Sequence, residues 1–109
     1  MRQQQKSDLV EFSIINRRPA IHGECCWQTV GAIEEWLATF DDEAVDVDLS
    51  GVTLFDSCAL QTFLNAQRVN RRLRIVRPSP AVLRVLDLTD TYQCLVYRTS
   101  PPIAATTAP

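Results

Sequence analysis

The chain has 109 residues, 46% of them apolar, which suits one globular domain and argues against a disordered composition. A formal net charge of −2 points to no polyanionic or polycationic partner. No run approaches the ~20 apolar residues of a membrane span, and the polar start Met1 to Ser7 lacks the apolar middle of a secretion signal, so a cytoplasmic protein is expected.

Residues 1–8 read as a flexible leader. Leu9 to Ile15 predicts a strand, because Val10, Phe12 and Ile14 alternate with Glu11 and Ser13. Asn16 to Pro19 reads as a turn. Ala20 to His22 predicts a short second strand that Gly23 breaks. From Trp27 the period lengthens: Val30, Ile33, Leu37 and Phe40 recur at helical spacing, with Glu34 and Glu35 opposite. Trp27 and Trp36 are expected in the core or in helix packing. Val45, Val47 and Leu49 then predict a strand with Asp46 and Asp48 on its other face. Ser50-Gly51 is a turn signal, and Val52 to Phe55 a short apolar bridge.

A helix is predicted from Ser57 to Arg71, with Leu60, Phe63 and Leu64 on one face. Leu73 to Val76 predicts a strand. Pro78-Ser79-Pro80 opens a further helix: Ser79 suits the cap, Pro80 the first turn, and Val82, Val85 and Leu86 the inward stripe. Asp90 suits a left-handed stop. Gln93 to Arg98 reads as a last strand, and residues 99–109, rich in Pro, Thr and Ala, as a disordered tail. The expected order is β-β-α-β-α-β-α-β, an α/β domain over residues 9–98 with a mixed sheet and helices packed against it.

Most site chemistries find no support. Cys25, Cys26, Cys58 and Cys94 form no C-x-x-C pair, and His22 is the single histidine, so no metal site and no catalytic residue is expected. With only Gly23, Gly31 and Gly51 there is no glycine-rich phosphate cradle and no G-x-S-x-G elbow. The chain reads as a non-enzyme without a cofactor. Charge is segregated: Glu34 to Asp56 holds eight acids and no base, Arg68 to Arg84 six arginines and no acid. Nucleic-acid binding would need a net positive charge with interleaved aromatics. The acidic face instead suits a basic protein partner.

Asp56-Ser57 remains. At the start of a helix, either residue can cap the unpaired N–H groups, at ~1 kcal/mol. The same serine also suits phosphorylation: a phosphate adds about −1.5 to −2 charges, which a helix N-terminus tolerates and a docked partner does not.

Three stretches carry a resemblance. "VDVDLSGVTLFDSCAL" is similar to the signature D-L-S-x-V-x-F-x-D-S-[ST]-G-L of STAS domains, found in sulfate transporters and anti-sigma factor antagonists. "IHGECC" sits where that family has a second strand and G-E-[LIV]-D. "RPSPAVLRVLDLTD" resembles its P-S-P-x-V-x-R-x-L-E-L-T-G helix. The resemblance implies an antagonist that binds an anti-sigma factor, itself an ATP-dependent serine kinase, and so frees a sigma factor. It implies phosphorylation at Ser57, which weakens that complex until a phosphatase reverses it. Ser50, Val52, Thr53, Asp56, Ser57, Cys58, Ala59, Leu60 and Phe63 are the expected partner-binding residues; nucleic acid and membrane are not expected partners, and a weak dimer is compatible. Cys58, Ala59, Cys26 and Asp90 depart from the family pattern. They favour, as the alternative, a scaffold or sensor subunit that does not cycle phosphate, with Cys58 as a candidate for thiol chemistry.

Overall fold

The computed structural model describes residues 9–40 and 43–96. The leader expected over 1–8 and the tail expected over 99–109 lie outside them. The order is β1 (Val10–Ile15), β2 (Arg18–Cys25), α1 (Val30–Ala38), β3 (Val45–Phe55), α2 (Ser57–Val69), β4 (Leu73–Val76), α3 (Pro80–Thr89) and α4 (Tyr92–Leu95). The sheet order is β1-β2-β3-β4. β1 and β2 pair antiparallel, whereas β2, β3 and β4 run parallel, so the sheet is mixed as expected.

The hairpin turns on two residues, Asn16 and Arg17, at φ 53° and 68°. Such a left-handed pair matches the twist of the flanking strands. β2 therefore starts earlier than expected, at Arg18, and takes in Pro19. Pro19 faces Ile14 and precedes the first β3 pair, Ala20 with Asp48, so its missing N–H breaks no ladder bond to β3. Gly23 does not break the strand either. It adopts φ 108°, where a Cβ would collide with the Leu9 carbonyl. Only glycine lets the two strands run on together there.

Ser50-Gly51 is likewise no turn. Between Ala20/His22 and Gly23/Glu24 the β2–β3 register slips, and each time β3 carries the additional residue. The turn signal is thus the first of two bulges within one eleven-residue strand.

Val10, Phe12, Ile21, Val47, Leu49, Leu73 and Ile75 turn to one face of the sheet. There they join Ile33, Trp36 and Leu37 of α1, Phe63 of α2, and Val82 and Leu86 of α3 in a single core. Trp36 stacks on Phe12 at 4.9 Å between ring centroids and meets Phe40 edge-on at 5.1 Å. α2 ends two residues early because Asn70 is claimed elsewhere: its side-chain amide donates to the carbonyls of Phe40 and Glu43. α3 follows expectation closely, with Ser79 accepting from the Val82 N–H and Asp90 closing at φ 60°.

The expected last strand over 93–98 is a correction. Residues 92–95 form α4, and 97 and 98 lie outside the described residues. The Val96 N–H closes a helical turn on Tyr92, and Leu95 is fully buried in the core. The Gln67 amide donates to the carbonyls of both Leu73 and Cys94, which ties α4 to the end of β4. Burial of one leucine outweighs the strand preference of the four apolar residues from Cys94 to Tyr97.

Candidate functional site

β3 delivers the chain to Asp56 at the end of the sheet, and α2 starts on the next residue. Asp56 uses four groups at once. Its N–H donates to the Cys25 carbonyl, and its carbonyl accepts from Leu60. One carboxylate oxygen, Oδ1, caps the helix by accepting from the Ala59 N–H at 2.9 Å. The other, Oδ2, accepts from the Trp27 N–H at 3.1 Å. The capping role was expected; the bond to the β2–α1 turn was not, because its partner lies 29 residues away.

That turn is held from its other side by Thr29, which is buried. The Thr29 hydroxyl accepts from the Cys26 N–H at 2.9 Å and lies within donating distance of the Glu24 and Cys26 carbonyls. Cys25 and Cys26 point inward as free thiols. Burial, with smaller contributions from Cys26 and Asp56, pushes the Cys25 thiol up to about 12, which keeps it protonated at neutral pH. Trp27 points outward and is 69% exposed, so its expected place in the core is corrected. Trp36 alone of the two tryptophans is buried.

The nine residues expected to meet a partner divide by burial. Ser57 and Cys58 stand exposed in the first turn of α2. Asp56 beside them is half-buried. Thr53 is exposed, and Ser50 is exposed but inside β3 rather than on a loop before the helix. Ser50 lies seven positions before Ser57, roughly 20 Å at the usual strand rise. Val52, Ala59, Leu60 and Phe63 are buried and support the loop from beneath, with Phe63 against Phe55 at 5.9 Å between centroids.

Ser50 belongs to a second polar group on the helix-free side of the sheet. There Asp48 accepts from the Ser50 N–H at 2.8 Å and pairs with the Arg77 guanidinium at 3.2 Å. Burial raises the Asp48 carboxyl, but the Ser50 N–H and hydroxyl and the charges of Arg77 and Arg18 outweigh it and hold it below its ordinary value. His22 sits over Gly51 in the same depression, where a Cβ at Gly51 would collide with the ring. Among the described residues no group of three His, Cys, Asp or Glu side chains is placed to hold a metal ion, and no helix is long and apolar enough to cross a membrane.

Ser57 thus follows a rigid aspartate at the junction of strand and helix, in a mixed sheet with its helices on one face. The sequence model of the family described as Mlab, STAS domain matches residues 20–97, from β2 to beyond α4. The chain belongs to the STAS domain family. No curated protein matches it. STAS domains are generally non-enzymatic, and membership supports an antagonist-like binding module or a scaffold. In this STAS domain Asp56-Ser57 forms the start of α2, and Ser57 is open to solvent.

Proposed function

We propose that this STAS domain is a cytoplasmic anti-sigma factor antagonist whose docking to an anti-sigma factor kinase is switched off at Ser57. One observation carries the reading: Ser57 is exposed at the first position of α2, directly after an aspartate held by four hydrogen bonds. A kinase needs a hydroxyl presented on a fixed frame. The Ser57 oxygen attacks the γ-phosphorus of ATP held by the kinase. ADP departs, and the hydroxyl proton passes to a base of the kinase. A phosphatase returns the serine by hydrolysis. The helix N-terminus tolerates the added charge, so the domain stays folded while its docking face changes.

A second reading has its own support. Cys58 and Ala59 stand where the family pattern has a hydroxyl residue and a glycine, and the matching family model is the Mlab one. A scaffold subunit that binds constitutively, without phosphate cycling, fits these departures.

Intact mass after incubation with purified anti-sigma kinases and ATP separates the two, with peptide mapping to locate any phosphate. One phosphate on Ser57 is the expected result. A kinase that binds the domain and leaves it unmodified would establish the scaffold. Under the antagonist reading, Ser57→Asp weakens binding at least about tenfold, whereas Ser57→Ala stays within about threefold, because charge and not hydroxyl loss disrupts the complex. Equal binding by both variants would sink that mechanism.

A further inference from the structure

We infer that Trp27 is the anchor by which the partner grips this domain, and that Asp56 carries the state of Ser57 to it. The inference rests on the antagonist reading for the partner's identity: an anti-sigma factor whose surface offers an apolar pocket to one indole.

Trp27 is 69% exposed, although the core offers its fellow tryptophan a full aromatic stack. Tryptophans placed this way dominate binding energy when a partner pocket closes over them. The main chain beneath the indole is already ordered. Its N–H is fixed to Asp56, and the turn is closed by Thr29 N–H and hydroxyl bonds to Cys26. Docking on an ordered anchor loses little conformational entropy. Leu54, 45% exposed, extends the apolar surface at the same end of the sheet, since Glu24 pairs with Leu54 and Cys25 with Phe55.

The carboxylate of Asp56 links this anchor to the modification site. Oδ1 holds the first turn of α2, Oδ2 holds Trp27, and Ser57 is the next residue. Residues 19–67 contain no lysine or arginine, and Glu24 and Asp56 both lie at this end of the sheet, which suits a basic partner. A phosphate on such a face would attract a basic surface, and charge repulsion between the partners does not explain expulsion. Competition within the domain does. A dianion on Ser57 repels the Asp56 carboxylate and competes with it for the N–H groups of the helix start. Asp56 then releases the Trp27 N–H, and the indole loses its fixed position.

Calorimetric titration of an anti-sigma factor kinase with the full chain tests the anchor. Trp27→Ala weakens binding at least about tenfold, with an unchanged melting temperature, and Trp27→Phe recovers part of the loss. Trp27→Ala binding within twofold of wild type, beside a weakened Ser57→Asp, would overturn the anchor and leave the antagonist reading standing. If the unmodified chain binds no anti-sigma factor, that reading falls and the anchor with it. The relay is tested without any partner, on the Trp27 backbone amide resonance of the ¹⁵N-labelled chain. Asp56→Asn has one carbonyl oxygen and cannot serve both N–H groups, so that resonance shifts in Asp56→Asn and in Ser57→Asp. A Trp27 amide unmoved by Ser57→Asp would overturn the relay.

Discussion

Asp56 shows how much one side chain decides. A cap alone contributes ~1 kcal/mol; here the same carboxylate also fixes a second turn, and its backbone joins β2 to α2. Two glycines matter to different degrees. At Gly23 the conflict is with backbone, the Leu9 carbonyl, and φ is positive. At Gly51 it is with the ring of His22, which is exposed and can swing aside. Gly23→Ala is therefore expected to lose more than about 2 kcal/mol, and Gly51→Ala about 1 kcal/mol or less. Urea denaturation of both variants checks the order; the reverse order would contradict the β1–β2 geometry. The cap at Asp56 was legible because capping is local. The outward Trp27 was not, because hydrophobicity ranks tryptophan with the core and says nothing about which pre-helix residue the turn ejects.

At the scale of elements, local signals located α2, α3 and β4, whereas long-range contacts set the extent of β2 and β3 and the state of α4. Ser79-Pro80 and Asp90 bound α3 within its own sequence, so its limits were readable. Ser50-Gly51 carries the residues of a turn, yet pairing with β2 before it, at Asp48, and again at Gly51 carries β3 on through it. α4 is the sharpest case: its four residues suit a strand, and only the buried Leu95 and the Gln67 clamp make it a helical turn. Leu95→Ala should lose about 2–5 kcal/mol, the usual range for a fully buried leucine. Gln67→Ala should speed hydrogen exchange of the Val96 amide, which bonds to Tyr92, while exchange in α3 stays slow. Equal acceleration in α3 would mean that α4 has no separate clamp.

For the whole molecule, two ionisable groups among the described residues shape stability against pH. The Cys25 thiol is raised from its ordinary 9.0 to about 12. Below pH 9 it is protonated in both folded and unfolded chains and has no effect. Between pH 9 and about 12 the unfolded chain ionises first, so stability falls as pH rises. Asp48 is lowered, so its contribution is present above the ordinary carboxylate value of 3.8 and is lost as pH falls through its folded value. Chemical denaturation from pH 2 to 11 should show both limbs. Asp48→Asn should flatten the acid limb and Cys25→Ala the alkaline one, the latter from a lower plateau because it leaves a cavity. An alkaline limb untouched by Cys25→Ala would assign it to another group.

By itself the sequence determined the domain class, the starts of α2 and α3 and the aspartate–serine pair, because periodicity, caps and motifs act within a few residues of one another. The resemblance to the family was legible in the same short stretches, at Gly23-Glu24, Asp56-Ser57 and Pro78 to Pro80, and the family model matches residues 20–97. Only the tertiary structure decided that Ser50-Gly51 is a bulge, that residues 92–95 are helical, and that Trp27 faces solvent with its N–H on Asp56. Each of these depends on groups distant in the chain: β2 beside β3, Gln67 beside Cys94, Asp56 beside Trp27. Local propensity is worth tenths of a kcal/mol per residue, and one buried leucine or a bulge locked by pairs before and after it outweighs it.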